Sequence, residues 1–184
     1  MERRMIYFIS GEFISLLTFP GVILHEIAHR LACDLQDVPV YAIDYFSAGS
    51  KVAGHVIHQQ TNLFRKALLI GIAPFIINSL VCMLLTIPYG FASHFDTHFM
   101  LNERSWLLWV QQIIAWVGFS AGFHAIPSDQ DVKGLVDKTQ SDIAKIFTTF
   151  IMVACALCNA PYIGFLLKVG YAYILSLVIP WLFL

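Results

Sequence analysis

The sequence predicts an all-α polytopic membrane protein of four or five transmembrane helices, with a small β-hairpin between the first and second. Three observations carry that prediction. Of 184 residues, 58% are hydrophobic and only 12% charged, and the mean hydropathy is +0.72, whereas a soluble domain averages about a quarter charged residues. The apolar residues gather into runs near the ~20 residues a helix needs to cross a bilayer. One stretch, 38–58, breaks that texture with β-branched and aromatic residues on either side of Ser47-Ala48-Gly49-Ser50.

Taken in order, the first span runs from about Ile6 or Phe13 to Ala32, and Pro20-Gly21 stands ready to bend or open it. Val38 to Phe46 and Val52 to His58 read as the two strands of the hairpin. An unsatisfied strand edge cannot face lipid, so the hairpin lies at the surface or packs on the bundle. A second span covers about Ala67 to Tyr89 and contains Gly71, Pro74 and Asn78. His94 to Arg104 is a polar turn. The third span, about Ser105 to Ala125, closes on His124-Ala125-Ile126-Pro127-Ser128-Asp129-Gln130-Asp131, and Val132 to Ile143 reads as a short interfacial helix. Lys145 to Leu184 is apolar, interrupted at Asn159-Ala160-Pro161 and again at Lys168-Val169-Gly170. It predicts a fourth span and a shorter fifth over Val169 to Leu184. The chain is expected to form one membrane domain over 1–184, with a core at about 6–133 and accessory helices at about 145–184.

Composition also excludes. A formal net charge of −1 without a basic stripe argues against a nucleic-acid partner. Cys33, Cys82, Cys155 and Cys158 lie in or beside apolar segments and read as packed thiols rather than a disulfide framework. The N-terminal apolar run carries the histidine motif described next, so it reads as retained structure and not as a cleaved leader. Arg30, Lys51, Arg65, Lys66, Lys133, Lys138 and Lys145 fall on the hairpin face; Arg3, Arg4, Arg104 and Lys168 fall on the other. The positive-inside rule therefore puts the hairpin face in the cytoplasm, in a multi-pass protein of the cell membrane.

Chemistry concentrates at His25-Glu26-Ile27-Ala28-His29. Histidines at i and i+4 share one face of a helix and can share one metal ion, and the glutamate between them is placed to deprotonate its water. The flanks are apolar, so hydrolytic chemistry is set inside a membrane, where ionisable residues are functional by default. Catalytic zinc takes three protein ligands and keeps an open position. Glutamate occurs only at 2, 12, 26 and 103, and Glu103 lies on the far face. Spans one and three run in the same direction, which brings the Pro127 to Asp131 loop to the motif's end. Asp131 is the favoured third ligand and Asp129 the alternate; the competing role for both is to cap the following helix.

These residues resemble the site-2-protease group of intramembrane zinc metalloproteases, as a divergent branch. His25, Glu26 and His29 match its first motif. Ala73-Pro74-Phe75-Ile76-Ile77-Asn78 approximates its second-span pattern with one extra residue, and the hairpin matches its membrane-associated β element. The third-span signature departs: His124 stands in place of asparagine, Asp131 follows Pro127 by four residues rather than five, and no glycine follows it. The resemblance implies Zn2+ as cofactor, Glu26 as the base, and His124 as a donor to the substrate carbonyl or oxyanion. His124 is equally readable as a structural residue or as a substitute ligand. Asn78 reads first as an interhelical hydrogen bond. Cys33 reads as a packed thiol, and His55, His58, His94 and His98 as solvated histidines. Val40 to Phe46 offers an edge for an unwound substrate. The expected function is cleavage of membrane proteins within or beside their transmembrane segments. The alternative is a metal-binding scaffold or metal-handling protein without proteolysis, against which Glu26 argues, since transport needs ligands but no base.

Overall fold

The computed structural model describes residues 11–49, 53–94, 105–133, 135–139 and 141–182. The Arg3-Arg4 pair, a start at Ile6, Lys51, His98, Glu103 and Arg104 lie outside them. The fold is mostly helical, with helices α1 (Gly11–Leu17), α2 (Phe19–Leu35), α3 (Phe64–His94), α4 (Ser105–Phe123), α5 (Asp129–Val132), α6 (Asp142–Asn159), α7 (Ile163–Tyr173) and α8 (Ile179–Leu182). A π-helical turn, Ile174–Val178, joins the last two, and a 3₁₀ turn, Val136–Lys138, precedes α6. Strands β1 (Val40–Asp44) and β2 (His55–His58) pair antiparallel, Asp44 opposite His55 and Val40 opposite His58, with an irregularity between Val40 and Ala42. The hairpin therefore stands where its β-branched composition puts it.

Among the described residues, Phe64–Ile87 and Asp142–Asn159 are long and apolar enough to cross a membrane, and α1 with α2 makes a third if the bent pair counts as one span. That is fewer than the four or five spans read from hydropathy alone. Large apolar side chains are exposed along several helices, Leu84, Trp109, Phe150 and Leu166 among them, as expected where lipid replaces water as solvent.

The first span is not one helix. It breaks at Thr18, and α1 meets α2 at 87°. Pro20 lacks the N–H that would continue the ladder, but the bend falls two residues before it. Helix α4 satisfies the opened backbone. The Trp116 indole N–H donates to the Leu17 carbonyl at 2.9 Å. The Ser120 hydroxyl donates to the Thr18 carbonyl and accepts from the Gly21 N–H, both at 2.7 Å. Gly21 is the only residue size that allows this approach, because a Cβ there would run into the Ser120 carbonyl. Broken helices are tolerated at membrane depth when neighbours re-satisfy the freed groups in this way.

Helices α2, α3 and α4 pack on one another. Ala28, Ala32 and Cys33 of α2 meet Ile70 and Ala73 of α3 under Val38, and Cys82 of α3 meets Ala121 and Leu175. Cys33 is thus a packed thiol. Buried Asn78 donates to the carbonyls of Gly21 and His124, each at 3.3 Å, which ties all three helices at one level.

Two element readings need correction. Val132 to Ile143 is not one interfacial helix but the short α5 followed by the 3₁₀ turn. The chain does not break at Lys168-Val169-Gly170: α7 runs through it, and the break is at Ala160 to Tyr162, where Pro161 and a positive-φ Tyr162 (φ 64°) turn the chain. The fourth member packed on α3 and α4 is α7 with its continuation, Phe165 on Phe123 and Tyr171 on Phe75. Helix α6 packs chiefly against α5 and α7.

Candidate metal centre

His25 and His29 lie one turn apart on α2, so their rings face the same side, 4.8 Å between centroids. Each ring is fixed by its Nδ1. That of His25 is 2.7 Å from the His124 carbonyl oxygen, and that of His29 is 3.0 Å from the Ile70 carbonyl oxygen. A carbonyl only accepts, so each Nδ1 carries the hydrogen and each neutral ring presents an Nε2 lone pair.

Both carbonyls are free for a reason written in the sequence. Ile70 is four residues before Pro74, whose nitrogen has no hydrogen to give the Ile70 carbonyl. His124 stands just past the end of α4, where carbonyls lose their intrahelical partners, and Pro127 prevents the helix from continuing. Proline in one helix and the end of another thus orient the two histidines.

The third member is Asp131, on α5. Its Oδ1 lies 3.1 Å from His29 Nε2 and its Oδ2 3.5 Å from His25 Nε2, while the two Nε2 atoms are 3.2 Å apart. Two lone pairs and a carboxylate at these distances repel unless a cation stands between them or a ring takes up an extra proton. A tetrahedron with metal–ligand bonds of about 2.05 Å has edges of about 3.3 Å; the Nε2–Nε2 and His29 Nε2–Oδ1 distances fall near that value, and one ligand atom from each of the three residues lies within 4.8 Å of the others. The three residues can hold a metal ion. Asp131 also accepts the Ser128 N–H at 2.6 Å, so the capping role and the ligand role coexist in one carboxylate. Gly71 of α3 makes room for this loop: a Cβ there would lie 2.6 Å from the Asp131 carbonyl oxygen.

Asp129 is not brought to the cluster. It is exposed, and its Oδ1 accepts from Asn159 Nδ2 at 3.3 Å. Glu26 is buried beside the histidines under the hairpin, and its carboxylate makes no hydrogen bond among the described residues. His25, Glu26, His29, His124 and Asp131 all line one cavity of ≈ 1180 Å³. The His124 ring sits 2.7 Å, through Nε2, from the Thr18 hydroxyl. That hydroxyl gives its own hydrogen to the Ile14 carbonyl at 2.7 Å, so the neutral His124 ring spends its N–H on Thr18. Its carbonyl, not its ring, touches His25.

The cavity wall holds residues that the motif search passed over. Strand β2, with His55 and His58, borders it rather than β1. Asn159 and Lys168 line it as well, so Lys168 belongs to the motif's side and not to the far face. Asn159 was legible only as a helix break, and the carbonyls of Ile70 and His124 carried no side-chain signal at all. Searches against family models, curated proteins and solved structures gave no match to this chain.

Proposed function

We propose that this chain is an integral-membrane zinc metalloendopeptidase that hydrolyses peptide bonds within or beside the transmembrane segments of other membrane proteins. The observation that carries this reading is the convergence of His25 Nε2, His29 Nε2 and the Asp131 carboxylate, one ligand atom from each lying within 4.8 Å of the others, with Glu26 in the same cavity. The donor set, two neutral imidazoles and one carboxylate, is the borderline combination zinc favours, and each imidazole has the outer hydrogen bond expected of a ligand. The motif's likeness to the site-2-protease group points the same way.

His25, His29 and Asp131 would hold the zinc ion, which would supply Lewis acidity to lower the pKa of a bound water toward about 7 and polarise the scissile carbonyl. Glu26 takes the proton from the attacking water and delivers it to the leaving amine, a role that suits a carboxylate buried in the cavity with no hydrogen bond among the described residues. The His124 and Ile70 carbonyls keep both imidazoles in the tautomer that leaves Nε2 bare. The unpaired edge of β2 along the cavity offers main-chain hydrogen bonds to an extended substrate, which must unwind because helical carbonyls are shielded. The basic residues of the hairpin face place the site toward the cytoplasm in this reading.

The test is Glu26→Gln in the purified protein, assayed on a transmembrane peptide alongside its zinc content. The expected result is turnover reduced by at least about a hundredfold, the scale of losing a general base, with zinc retained. Cleavage at the wild-type rate by Glu26→Gln would refute the mechanism; zinc binding without cleavage by either protein would favour a metal-binding scaffold.

A further inference from the structure

We infer that Asn159 and Lys168, in the accessory helices, form a positioning bridge that holds the loop carrying Asp131 in register with His25 and His29. The inference rests on the zinc-site reading above and extends it to a part of the chain outside the resemblance. Asn159 Nδ2 donates to the Pro127 carbonyl at 3.1 Å and to Asp129 Oδ1 at 3.3 Å. Lys168 Nζ donates to Asn159 Oδ1 at 2.8 Å, which fixes which way round the amide lies. The order is therefore Lys168 ammonium, Asn159 amide, Asp129 carboxylate: opposite charges joined through a neutral linker that also grips the backbone at Pro127.

Three features set this apart from incidental polar contact. Lys168 sits within an apolar helix, where a cation is costly and marks function by default. Among the described residues no carboxylate lies within ion-pair distance of it, and its hydrogen bond goes to Asn159 Oδ1. The turn that brings residue 168 back over residue 159 holds Tyr162 at φ 64° and ψ −58°, a γ-turn closed by the Ile163 N–H on the Pro161 carbonyl at 2.8 Å, a conformation a bulky residue adopts only when its surroundings enforce it. On the loop's other side Gly71 admits the Asp131 carbonyl. The loop is gripped between α3 and the α6–α7 turn, and Asp129, which binds no metal, supplies its outer handle. Lys168 and Asn159 thus act on the metal through Asp131 and touch no reacting atom.

Zinc affinity of the full-length protein in detergent, measured by chelator competition, tests this without reference to turnover. Asn159→Ala and Lys168→Met should each weaken zinc about tenfold to a hundredfold, the range for outer-shell partners of metal ligands. Lys168→Arg, which keeps a charged donor, should restore affinity to within about threefold of wild type on that scale. The double variant should bind no more weakly than Asn159→Ala alone, because Lys168 works only through Asn159. Wild-type affinity in Lys168→Met would overturn the bridge, as would equal losses in Lys168→Met and Lys168→Arg, or additive losses in the double variant. A wild-type protein that binds no zinc would instead overturn the zinc reading itself.

Discussion

Gly54, in the hairpin, has no room for a side chain: a Cβ there would lie 2.8 Å from Glu26 Cγ and 2.9 Å from the Tyr45 carbonyl oxygen. Glu26 is therefore held from above by backbone. Gly54→Ala should push either the hairpin or Glu26 aside, lowering kcat by about tenfold or more, since displacements near 1 Å can cost that much, while zinc content stays unchanged. Wild-type kcat in Gly54→Ala would show that the hairpin does not set the position of Glu26. At this scale the site was legible where side chains carry the chemistry. His25, Glu26 and His29 follow from their spacing, and which helix ends share a face leads to the Pro127 to Asp131 loop, with Asp131 favoured and Asp129 the alternate. What could not be read was the part played by main-chain atoms. His124 draws attention as an imidazole, yet its carbonyl holds His25 while its ring is occupied with Thr18.

Prolines in helices usually signal kinks, and here Pro74 does something more specific. By withholding a hydrogen from the Ile70 carbonyl it frees that oxygen for His29 Nδ1. Pro74→Ala should return an N–H to the ladder and draw the carbonyl back toward the helix axis. Helix stability then holds or rises, because alanine outranks proline by about 3 kcal/mol in a helix interior, while zinc affinity falls several-fold toward the tenfold typical of a lost outer-shell bond. Thermal unfolding and chelator competition on the same sample would check the opposite signs; a parallel fall in both would mean that Pro74 serves only packing. The hairpin and the long apolar helices were legible because periodicity and composition are local. The bend in the first span was signalled by Pro20-Gly21, but its place at Thr18 was not, because the carbonyls freed there are satisfied by Trp116 and Ser120, about a hundred residues later in the chain. Nor was the α6–α7 turn, since nothing about Tyr162 as a residue type announces a positive φ.

Across the whole molecule, the parallel course of α2 and α4 puts the motif and the Pro127 to Asp131 loop at one end of the bundle, α3 contributes a carbonyl and a gap, and the accessory helices close the outside. The central claim is that His25, His29 and Asp131, and not Asp129, hold one zinc ion. The most direct measurement is zinc per chain at saturating metal in the purified wild type, Asp131→Ala and Asp129→Ala. The account predicts about one zinc in the wild type, the occupancy of a single three-ligand site, the same in Asp129→Ala despite a weaker affinity, and loss in Asp131→Ala. Zinc retained in Asp131→Ala and lost in Asp129→Ala would contradict it, as would a wild-type protein that takes up none.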